Sequence, residues 1–225
     1  MNRLSAALLQ ALYPQRLQCH ACGAPLTAAE GLLCGGCADA FRALAYKGGR
    51  WETTVDETLP VAASAYPYTA PADTLVKALK FGSDRAAALP LAEGMAAVYA
   101  HMPALQAVDV CVAVPVHNRR LRTRGYNQAA VLAAAFAAVT GVPVLEGALL
   151  RVQQQRSQIG RGRQGRTRNV QDAFAVSSIG LQTLPGLRVL LVDDVLTTGA
   201  TAAACAALLR AAGAEAVLLL TACRA

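Results

Sequence analysis

The sequence predicts an α/β protein, with a parallel sheet covered by helices on both faces, preceded by a small four-cysteine knuckle that binds zinc. Three observations predict this class: two Cys-x-x-Cys pairs, alternating apolar strands and alanine-rich helices after residue 60, and a glycine-containing turn that joins a late strand to a helix. With 55% hydrophobic residues among 225, the chain is able to bury a full core, which excludes a disordered protein. We expect two units, residues 1–50 and residues 51–225.

The location of the protein is predicted from its hydropathy pattern. No segment has the roughly 20 consecutive bulky apolar residues that a membrane-spanning helix needs. The short apolar stretch at residues 4–12 contains polar side chains and has no clear cleavage site, so it is interpreted as an amphipathic helix and not as a signal peptide. We therefore expect a cytoplasmic protein.

The first unit is predicted to be a compact zinc knuckle without a long hairpin. Its cysteines form two pairs with eleven residues between them, Cys19 with Cys22 and Cys34 with Cys37. Each pair places two thiolates on a tight turn, and two such turns complete a tetrahedral structural zinc site. Gly23 and Gly35–Gly36 are expected to supply unusual backbone conformations, and His20 to be a spacer. Two disulfides are the alternative, which a cytoplasmic location disfavours.

The second unit is predicted to alternate strands and helices. Its predicted strands are residues 61–68 (at a sheet edge), 108–116, 142–150, 173–177, 187–192 and 216–221. Its predicted helices are residues 72–81, 86–101, 127–140 and 201–212, with Gly141 and Gly213 after the last two. Short connections imply a parallel sheet whose ligand lies at the carboxyl ends of the strands. Apolar runs contain the other cysteines, Cys111, Cys205 and Cys223, which are predicted to be buried and unreactive.

The net charge of +7 is concentrated in one segment. Ten arginines and a single acidic residue, Glu146, lie between residues 119 and 168. A solvated surface interleaves both signs, so this excess indicates a polyanionic partner: the phosphates of a small ligand or a nucleic acid backbone. The arginines expected to contact nucleic acid are Arg122, Arg124, Arg163 and Arg166. A solvated charge run is the alternative for residues 119–124.

Residues 189–201 carry the strongest chemical signal, because a strand that ends in two acids opens directly into a helix. Asp193 and Asp194 are expected to reach into the crevice and to bind sugar hydroxyls or a divalent ion. Behind them, backbone N–H groups at the helix N-terminus form an anion cradle suited to a phosphate. The cradle residues are Thr197, Thr198, Gly199, Ala200 and Thr201. Together these groups predict a site for a sugar 5-phosphate.

Two acids, two apolar residues and Thr-Thr-Gly-x-Thr, in this order, resemble the ribose-phosphate signature of type I phosphoribosyltransferases. Other motifs precede this signature in the chain: Pro67-Tyr68, Lys77-x-x-Lys80-Phe81, Pro115-x-x-x-Arg119-x-x-Arg122-x-Arg124-Gly125-Tyr126-Asn127-Gln128 and Arg166-x-x-Asn169. Together with the four-cysteine knuckle, these motifs make nearly the whole chain similar to the ComF/GntX family of zinc-binding phosphoribosyltransferase-fold proteins.

The resemblance implies a type I phosphoribosyltransferase fold that binds phosphoribosyl pyrophosphate with Mg²⁺. Asp193 and Asp194 would take the ribose hydroxyls, and residues 197–201 the 5-phosphate. The pyrophosphate loop would consist of Val116, His117, Asn118 and Arg119. A long mobile loop at residues 151–168 would close over the reaction centre. The family also implies a role in competence, the uptake or use of extracellular DNA, with single-stranded DNA and DNA-uptake proteins as partners.

The sequence departs from the family pattern at three places. Ser83 precedes Asp84 where a glycine and an acidic residue are expected. The arginine-rich loop holds Arg161 and Gly165 where an apolar and an acidic residue are expected. Thr197 stands where hypoxanthine-type phosphoribosyltransferases place an acidic general base, so their mechanism does not transfer directly.

Two functions are compatible with these motifs. The favoured one is a phosphoribosyltransferase-fold protein that binds phosphoribosyl pyrophosphate and acts in the uptake or use of DNA, either as a binding module or with turnover. The alternative is a metabolic phosphoribosyltransferase that acts on a small nitrogen acceptor such as a nucleobase. The sequence has no base-reading motif from which an acceptor could be identified. Tyr126 is equally suited to pack on the sheet or to stack on a base. Fold alone does not decide between the two functions.

Overall fold

The computed structural model describes residues 18–27, 30–45, 53–152 and 173–225. The predicted N-terminal helix at residues 4–12 lies outside these residues, as does most of the predicted mobile loop with Arg163 and Arg166. The described strands are β1 (Ala62–Pro67), β2 (Val110–Ala113), β3 (Leu149–Arg151), β4 (Phe174–Val176), β5 (Arg188–Leu196) and β6 (Ala216–Arg224). The described helices are α1 (Gly35–Leu44), α2 (Ala72–Phe81), α3 (Ala88–His101), α4 (Pro103–Gln106), α5 (Asn118–Arg124), α6 (Gln128–Thr140), α7 (Ser178–Thr183) and α8 (Ala200–Ala211).

Four strands form a parallel sheet in the order β1-β6-β5-β2. The central strands β5 and β6 are apolar and buried over most of their length, as expected for strands covered on both faces. β1 lies at one edge, as the sequence predicts, and β2 lies at the other, where Cys111 makes a single parallel bridge with Val144. The predicted class, an α/β protein with a parallel sheet, is therefore confirmed.

The prediction of one strand over residues 142–150 is wrong. The chain makes only the bridge at Val144, turns at Gly147, where φ is +69°, and then enters β3. A residue with positive φ cannot continue an extended strand, so the segment is divided at this glycine. β3 pairs antiparallel with β4 in a separate two-stranded sheet, so the strand predicted at residues 173–177 is also outside the parallel sheet.

Apolar side chains cover both faces of the parallel sheet. Along β5 successive side chains alternate between the faces: Leu190 and Val192 pack with α2, α3 and α6, whereas Val189 and Leu191 pack with α8. The side chains of these β5 residues are fully buried. The helices thus pack against both faces of the sheet. This packing positions the carboxyl end of β5 at the edge where the predicted ligand site lies.

Helix bounds follow local capping signals. The observed α2 has the predicted bounds, and α6 begins after Asn127, whose Oδ1 accepts a hydrogen bond of 3.0 Å from the N–H of Ala129. Gly141, with φ of +80°, ends α6 as predicted. Helix α3 begins two residues later than predicted because a 3-10 turn at Arg85–Ala87 precedes it.

The four-cysteine unit packs directly against the parallel-sheet unit. The ring of Phe41, on α1, stacks on the ring of Tyr66, on β1, with centroids 4.4 Å apart. Phe41 belongs to the same apolar cluster as the helices over one face of the sheet, together with Cys19 and Leu33. The two predicted units therefore share one core, while the boundary at residue 50 stays a prediction. No helix among the described residues is long and apolar enough to cross a membrane.

Candidate functional site

The predicted phosphate cradle lies where β5 ends and α8 begins. Gly199 occupies the N-cap of α8 with φ of +79°, a conformation that L-residues with a side chain rarely adopt. A Cβ at this position would lie 2.5 Å from Cγ1 of Val55, so the packing as well as the backbone requires glycine. The turn exposes Thr197 and Thr198. The first N–H groups of a helix have no helical hydrogen-bond partner, and that of Ala200 donates to Oγ1 of Thr198 at 3.4 Å. This geometry is suited to a small anion.

A shallow cavity of about 70 Å³ opens beside the cradle. Its lining combines the cradle residues with strand residues from the centre of the sheet, namely Asp193, Val195, Leu196, Thr197, Thr198, Gly199, Ala200, Thr201, Ala202, Leu219 and Thr221. The structure therefore brings together all five predicted cradle residues and Asp193. Thr221 is buried at the base of the site, where its hydroxyl and that of Ser64 are 2.7 Å apart.

The two acidic residues do not point to the same side of the sheet. Because side chains alternate along β5, Asp193 lines the cavity, whereas Asp194 lies on the opposite face, near α2. The sequence predicts that both carboxylates enter one crevice. In the structure β5 continues past both residues to Leu196, so their side chains alternate between the two faces of the sheet. The N–H of Asp194 donates a hydrogen bond of 2.8 Å to Oδ1 of Asp193, which links the two residues at the strand end.

The carboxyl group of Asp193 has a raised pKa. Burial, followed by the nearby charge of Asp194, raises the pKa of Asp193 to about 7. The hydrogen bond from Asp194 N–H and the charge of Lys80 act in the opposite direction but are weaker. Perturbed carboxyl groups in clefts are frequent at functional sites, because burial and like charge are arranged there for binding or proton transfer.

Lys80, on α2, contacts Asp194 on the face of the sheet away from the cavity, and nothing in the sequence pattern predicts this contact. Its Nζ lies 2.8 Å from Oδ1 of Asp194, and the side chains of the two residues are 20% and 6% exposed. Lys80 was part of a recognised motif with Lys77, but the spacing of three residues does not tell which lysine faces the sheet. Lys77 instead pairs with Asp73 on its own helix, at 2.8 Å.

The predicted pyrophosphate loop is only partly a loop. Val116 and His117 precede α5, whereas Asn118 and Arg119 are its first two residues. His117 has a local structural role, because its Nδ1 accepts a hydrogen bond of 3.0 Å from the N–H of Arg119 and caps the helix. β2 runs parallel to β5, so this segment leaves the sheet at the same edge as the cradle, as predicted.

The arginines of residues 119–124 are arranged on α5. Arg119 and Arg122 are exposed, whereas Arg124 lies over the ring of Phe81, 5.1 Å from its centroid, and donates to Oε1 of Gln128 at 2.9 Å. Arg124 is thus partly engaged within the protein. Gly125, with φ of +76°, ends this short helix. The sequence predicts either phosphate contacts or a solvated charge run for residues 119–124, and it does not predict this helix.

Tyr126 packs inside the protein. It is only 8% exposed, and its hydroxyl donates a hydrogen bond of 2.6 Å to the carbonyl oxygen of Leu79. Arg85 lies over its ring, 4.7 Å from the centroid. Of the two roles considered for Tyr126, packing is therefore the observed one, and the residue joins the segment after α5 to the end of α2.

The four-cysteine cluster has the geometry of a metal site. The four sulfur atoms all lie within 4.8 Å of one another, and those of Cys22 and Cys34 are 3.7 Å apart. A tetrahedron with zinc–sulfur bonds of about 2.3 Å has edges of about 3.8 Å, so the cluster is able to hold zinc. Side-chain hydrogen bonding with Cys34 and then Cys22 raises the pKa of Cys37, and a cation between the four sulfur atoms would favour their ionised form.

The backbone around the cysteines differs in part from the prediction. Gly23 has φ of +73° and closes the first turn, where its N–H donates 2.9 Å to the carbonyl oxygen of Cys19. Gly35–Gly36 adopt ordinary helical conformations at the start of α1, so the expectation of unusual backbone there is wrong. His20 is outside the cysteine cluster, and its Nε2 lies 3.1 Å from Oδ2 of Asp84.

The remaining cysteines are fully buried, as predicted. Burial raises the pKa of Cys111 and of Cys223 to about 12, and it raises the pKa of Cys205 as well. Thiolates are the reactive form of cysteine, so these three thiols are poor nucleophiles. They contribute apolar volume to the core.

Comparisons with solved structures give two distant likenesses. A Bacillus subtilis glutamine phosphoribosylpyrophosphate amidotransferase complexed with ADP and GMP has a TM-score of 0.44 and 20% identity, over 66% of this chain and 30% of that one. A structure described as the allosteric regulatory enzyme of purine biosynthesis has a TM-score of 0.41 and 24% identity, over 61% of this chain and 26% of that one. Neither likeness is close enough to carry an argument about this chain. No protein-family model matches the sequence.

Curated relatives cover much more of the chain. The DNA utilization protein YhgH of Salmonella typhimurium is 34% identical over 211 residues, which is 92% of this chain and 83% of that protein. The protein of the same name from Escherichia coli is 30% identical over 209 residues, with the same coverage. Competence protein F of Haemophilus influenzae is 34% identical over 111 residues, about half of each chain. The chain therefore belongs to the ComF family, with competence protein F and the DNA utilization protein YhgH.

Proposed function

We propose that this protein binds phosphoribosyl pyrophosphate at the carboxyl end of β5 and acts in the cytoplasm in the uptake or use of DNA. The observation that carries the binding proposal is the cradle at Gly199, where a positive φ at a helix N-cap opens onto a cavity lined by Asp193 and four threonines. The names of the relatives, a competence protein and DNA utilization proteins, support the role in DNA use.

Each part of the phosphoribosyl ligand has a proposed position. The 5-phosphate would accept hydrogen bonds from the turn of residues 197–201, where the dipole of α8 adds favourable potential. Asp193, which lines the cavity, would accept hydrogen bonds from ribose hydroxyls, whereas Asp194 faces α2 on the other side of the sheet. The pyrophosphate would lie toward residues 116–119, which leave the sheet at the same edge, and the exposed Arg119 would contribute charge.

Two metal ions fit this proposal in different ways. The four cysteines would hold a structural zinc ion that orders the knuckle, because its small size leaves it without a core of its own. Mg²⁺ would arrive with phosphoribosyl pyrophosphate and neutralise its charge. Magnesium in such sites is held by one or two carboxylates together with ligand phosphates and water. Asp193 is the carboxylate that lines the cavity, and it provides oxygen atoms of the type that Mg²⁺ prefers.

Single-stranded DNA is the second proposed ligand. The exposed arginines Arg119 and Arg122 on α5 lie on one side of the site, and the relatives are named for DNA utilization. Arginine side chains on an open surface would contact the phosphate backbone without reading the sequence. Such binding would weaken steeply with salt concentration, which distinguishes it from binding of a sugar phosphate in the cavity.

Calorimetry tests the main proposal. Purified protein would be titrated with phosphoribosyl pyrophosphate and Mg²⁺, and separately with a single-stranded oligonucleotide. We expect binding of both ligands, and we expect a Gly199→Val variant to lose only the first. Absence of phosphoribosyl pyrophosphate binding by the parent protein would contradict the proposal. Binding of phosphoribosyl pyrophosphate without DNA affinity above that of an unrelated basic protein would favour the metabolic phosphoribosyltransferase acting on a nucleobase-like acceptor.

A further inference from the structure

Phe81, the last residue of α2, has the most exposed large apolar side chain among the described residues, with 75% of its surface open to solvent. The other three phenylalanines of the chain are at most 6% exposed, namely Phe41, Phe136 and Phe174. A single exposed apolar side chain is common in proteins, so the surroundings of this ring decide what it indicates.

The ring of Phe81 is held in place by a cation. The guanidinium carbon of Arg124, the last residue of α5, lies 5.1 Å from the ring centroid. The same guanidinium donates a hydrogen bond of 2.9 Å to Oε1 of Gln128, which fixes its orientation. Arg124 covers one face of the ring, and the exposed fraction of Phe81 requires that the other face is open. The ring is thus oriented by Arg124 and accessible to a flat group of a ligand.

The two elements that carry this pair are also joined to each other. The hydroxyl of Tyr126, two residues after Arg124, donates a hydrogen bond of 2.6 Å to the carbonyl oxygen of Leu79, two residues before Phe81. Arg85 lies over the Tyr126 ring, 4.7 Å from its centroid. A side chain that is already held between connected elements loses little conformational freedom when a ligand binds, and this favours binding.

The charge beside the ring indicates the class of partner. Helix α5 carries four arginines and no acidic residue. Helical spacing places Arg120 and Leu121 on the same side of α5 as Arg124, and both of these side chains are exposed. The positive charge favours a polyanion, and the open aromatic ring favours one that carries flat apolar groups. Single-stranded nucleic acid offers both, whereas a duplex keeps its bases stacked inside the helix.

We propose that Phe81 stacks on a base of single-stranded nucleic acid whose backbone phosphates contact the arginines of α5. The inference rests on the proposed binding of single-stranded DNA, to which it adds a base contact. Every base has a flat π face, so stacking on Phe81 provides affinity without reading the sequence. It also provides a preference for single strands, which phosphate contacts alone do not give.

The experiment measures the affinity of the full-length protein for two probes at one salt concentration, by fluorescence anisotropy. The probes are a thymidine oligonucleotide and an abasic oligonucleotide of the same length and charge. The ratio of the two affinities isolates the contribution of the bases, because phosphate contacts are common to both probes. We expect Phe81→Ala to lower this ratio about tenfold, as for the loss of one stacked base, with little change in affinity for the abasic probe. Phe81→Tyr keeps a ring and should retain the ratio.

Leu89→Ala is the matched control. Leu89 is also an exposed apolar residue, on α3, with 51% of its surface open to solvent. Its replacement should leave both affinities unchanged. Phe81→Leu keeps apolar volume without a ring and should lower the ratio nearly as much as Phe81→Ala. Thermal denaturation of each variant checks that the fold is intact, which is expected because the Phe81 side chain lies outside the core.

Equal ratios in the parent and in Phe81→Ala, with a parent that binds the thymidine probe, would overturn the stacking role and leave the proposed function standing. A full ratio in Phe81→Leu would also overturn it, since the contact would then need no ring. Binding to vesicles of phosphatidylglycerol and phosphatidylethanolamine that depends on Phe81, with an unchanged probe ratio, would make the ring a membrane contact instead. A parent protein that binds neither probe would overturn both this inference and the proposed binding of DNA.

Discussion

The conformation of the predicted phosphate cradle depends on the absence of a side chain at Gly199. Two requirements coincide at this residue, a positive φ and the nearby methyl groups of Val55. Most other glycines with positive φ among the described residues meet only the first. Gly141 has almost the same φ, +80°, with open space where a Cβ would lie. The pair allows backbone strain and local packing to be separated by experiment.

We predict that Gly199→Ala abolishes the thermal stabilisation of the protein by phosphoribosyl pyrophosphate and Mg²⁺, whereas Gly141→Ala preserves it. Both changes should cost about 1–2 kcal/mol of unfolding free energy for the positive φ, with an added cost at Gly199 from contact with Val55. Thermal denaturation with and without ligand measures both effects. Equal ligand stabilisation of the parent and the Gly199 variant would place the site elsewhere.

Ser83, which stands where the family pattern has glycine, has a backbone conformation that glycine favours. It has φ of +52°, the only positive value at a non-glycine residue in the described part of the chain. The family pattern of glycine before the acidic residue suits this conformation, because glycine adopts it without steric cost. Asp84, which follows, caps the next turn by accepting a hydrogen bond of 3.1 Å from the N–H of Ala86.

We predict that Ser83→Gly stabilises the protein by up to about 1 kcal/mol, because relief of strain exceeds the added entropy of the unfolded chain. Urea denaturation would measure this difference. The matched control is Ser178→Gly, at an α7 position without positive φ, which should destabilise the protein. A lower unfolding free energy for Ser83→Gly than for the parent would contradict the strain argument.

The raised pKa of Asp193 makes the stability of the ligand-free protein depend on pH. Its folded-state pKa, about 7, lies above the ordinary value of 3.8, so the folded protein retains this proton more tightly than the unfolded chain does. The corresponding stability is fully present below pH 3.8 and is lost as pH rises toward 7. We predict that Asp193→Asn removes this dependence. The difference in unfolding free energy between variant and parent should change by on the order of 2 kcal/mol between pH 4.5 and 7.5. If the difference in unfolding free energy between variant and parent does not change with pH, the pKa of Asp193 is not raised.

At the scale of elements, α5 is short and carries exposed positive charge beside the site. Helix α5 has seven residues, and no acidic side chain occurs in its sequence. Arg119 and Arg122 are exposed, whereas Arg124 contacts Phe81 and Gln128. Arg119 and Arg122 are therefore better choices than Arg124 for testing phosphate contacts, because removing them leaves the packing at the end of the helix intact.

We predict that Arg119→Ala with Arg122→Ala weakens binding of single-stranded DNA and reduces the log–log salt slope by about 1.4, as expected for two lost phosphate contacts. The control is Arg42→Ala with Arg210→Ala, which removes the same charge from α1 and α8. Filter binding over a salt series measures both. If the two double variants lose affinity equally, the effect is one of net charge and α5 is not a DNA contact.

At the scale of the molecule, the four-cysteine knuckle and the sheet share apolar contacts. The stacked pair of Phe41 and Tyr66 contributes about 0.5–1.5 kcal/mol beyond the area that it buries. The contact of His20 with Asp84 adds a polar link between the same units. Loss of the proposed zinc ion is therefore expected to affect more than the first unit, because the knuckle covers part of the core.

We predict that Cys22→Ser removes about one zinc ion per chain and lowers the midpoint of the main thermal transition, with no separate early transition for the knuckle. Cys111→Ala, which changes a buried cysteine outside the cluster, should retain zinc. Elemental analysis and calorimetric melting give the two readouts. Full zinc content in the Cys22 variant, or an unchanged main transition, would contradict the shared-core argument.

The sequence by itself determined the features that depend on short spacing. The pairing of the four cysteines, the cradle after Asp194, the bounds of α2 and the glycine after α6 all follow from residues a few positions apart, since turns, caps and helical periods are local properties. Only the tertiary structure decided the contacts between distant segments: Lys80 with Asp194, Val55 beside Gly199, and Phe41 on Tyr66. The division of residues 142–150 also depended on pairing with β4. Such contacts depend on how elements pack, and packing is not encoded in the spacing of any one segment.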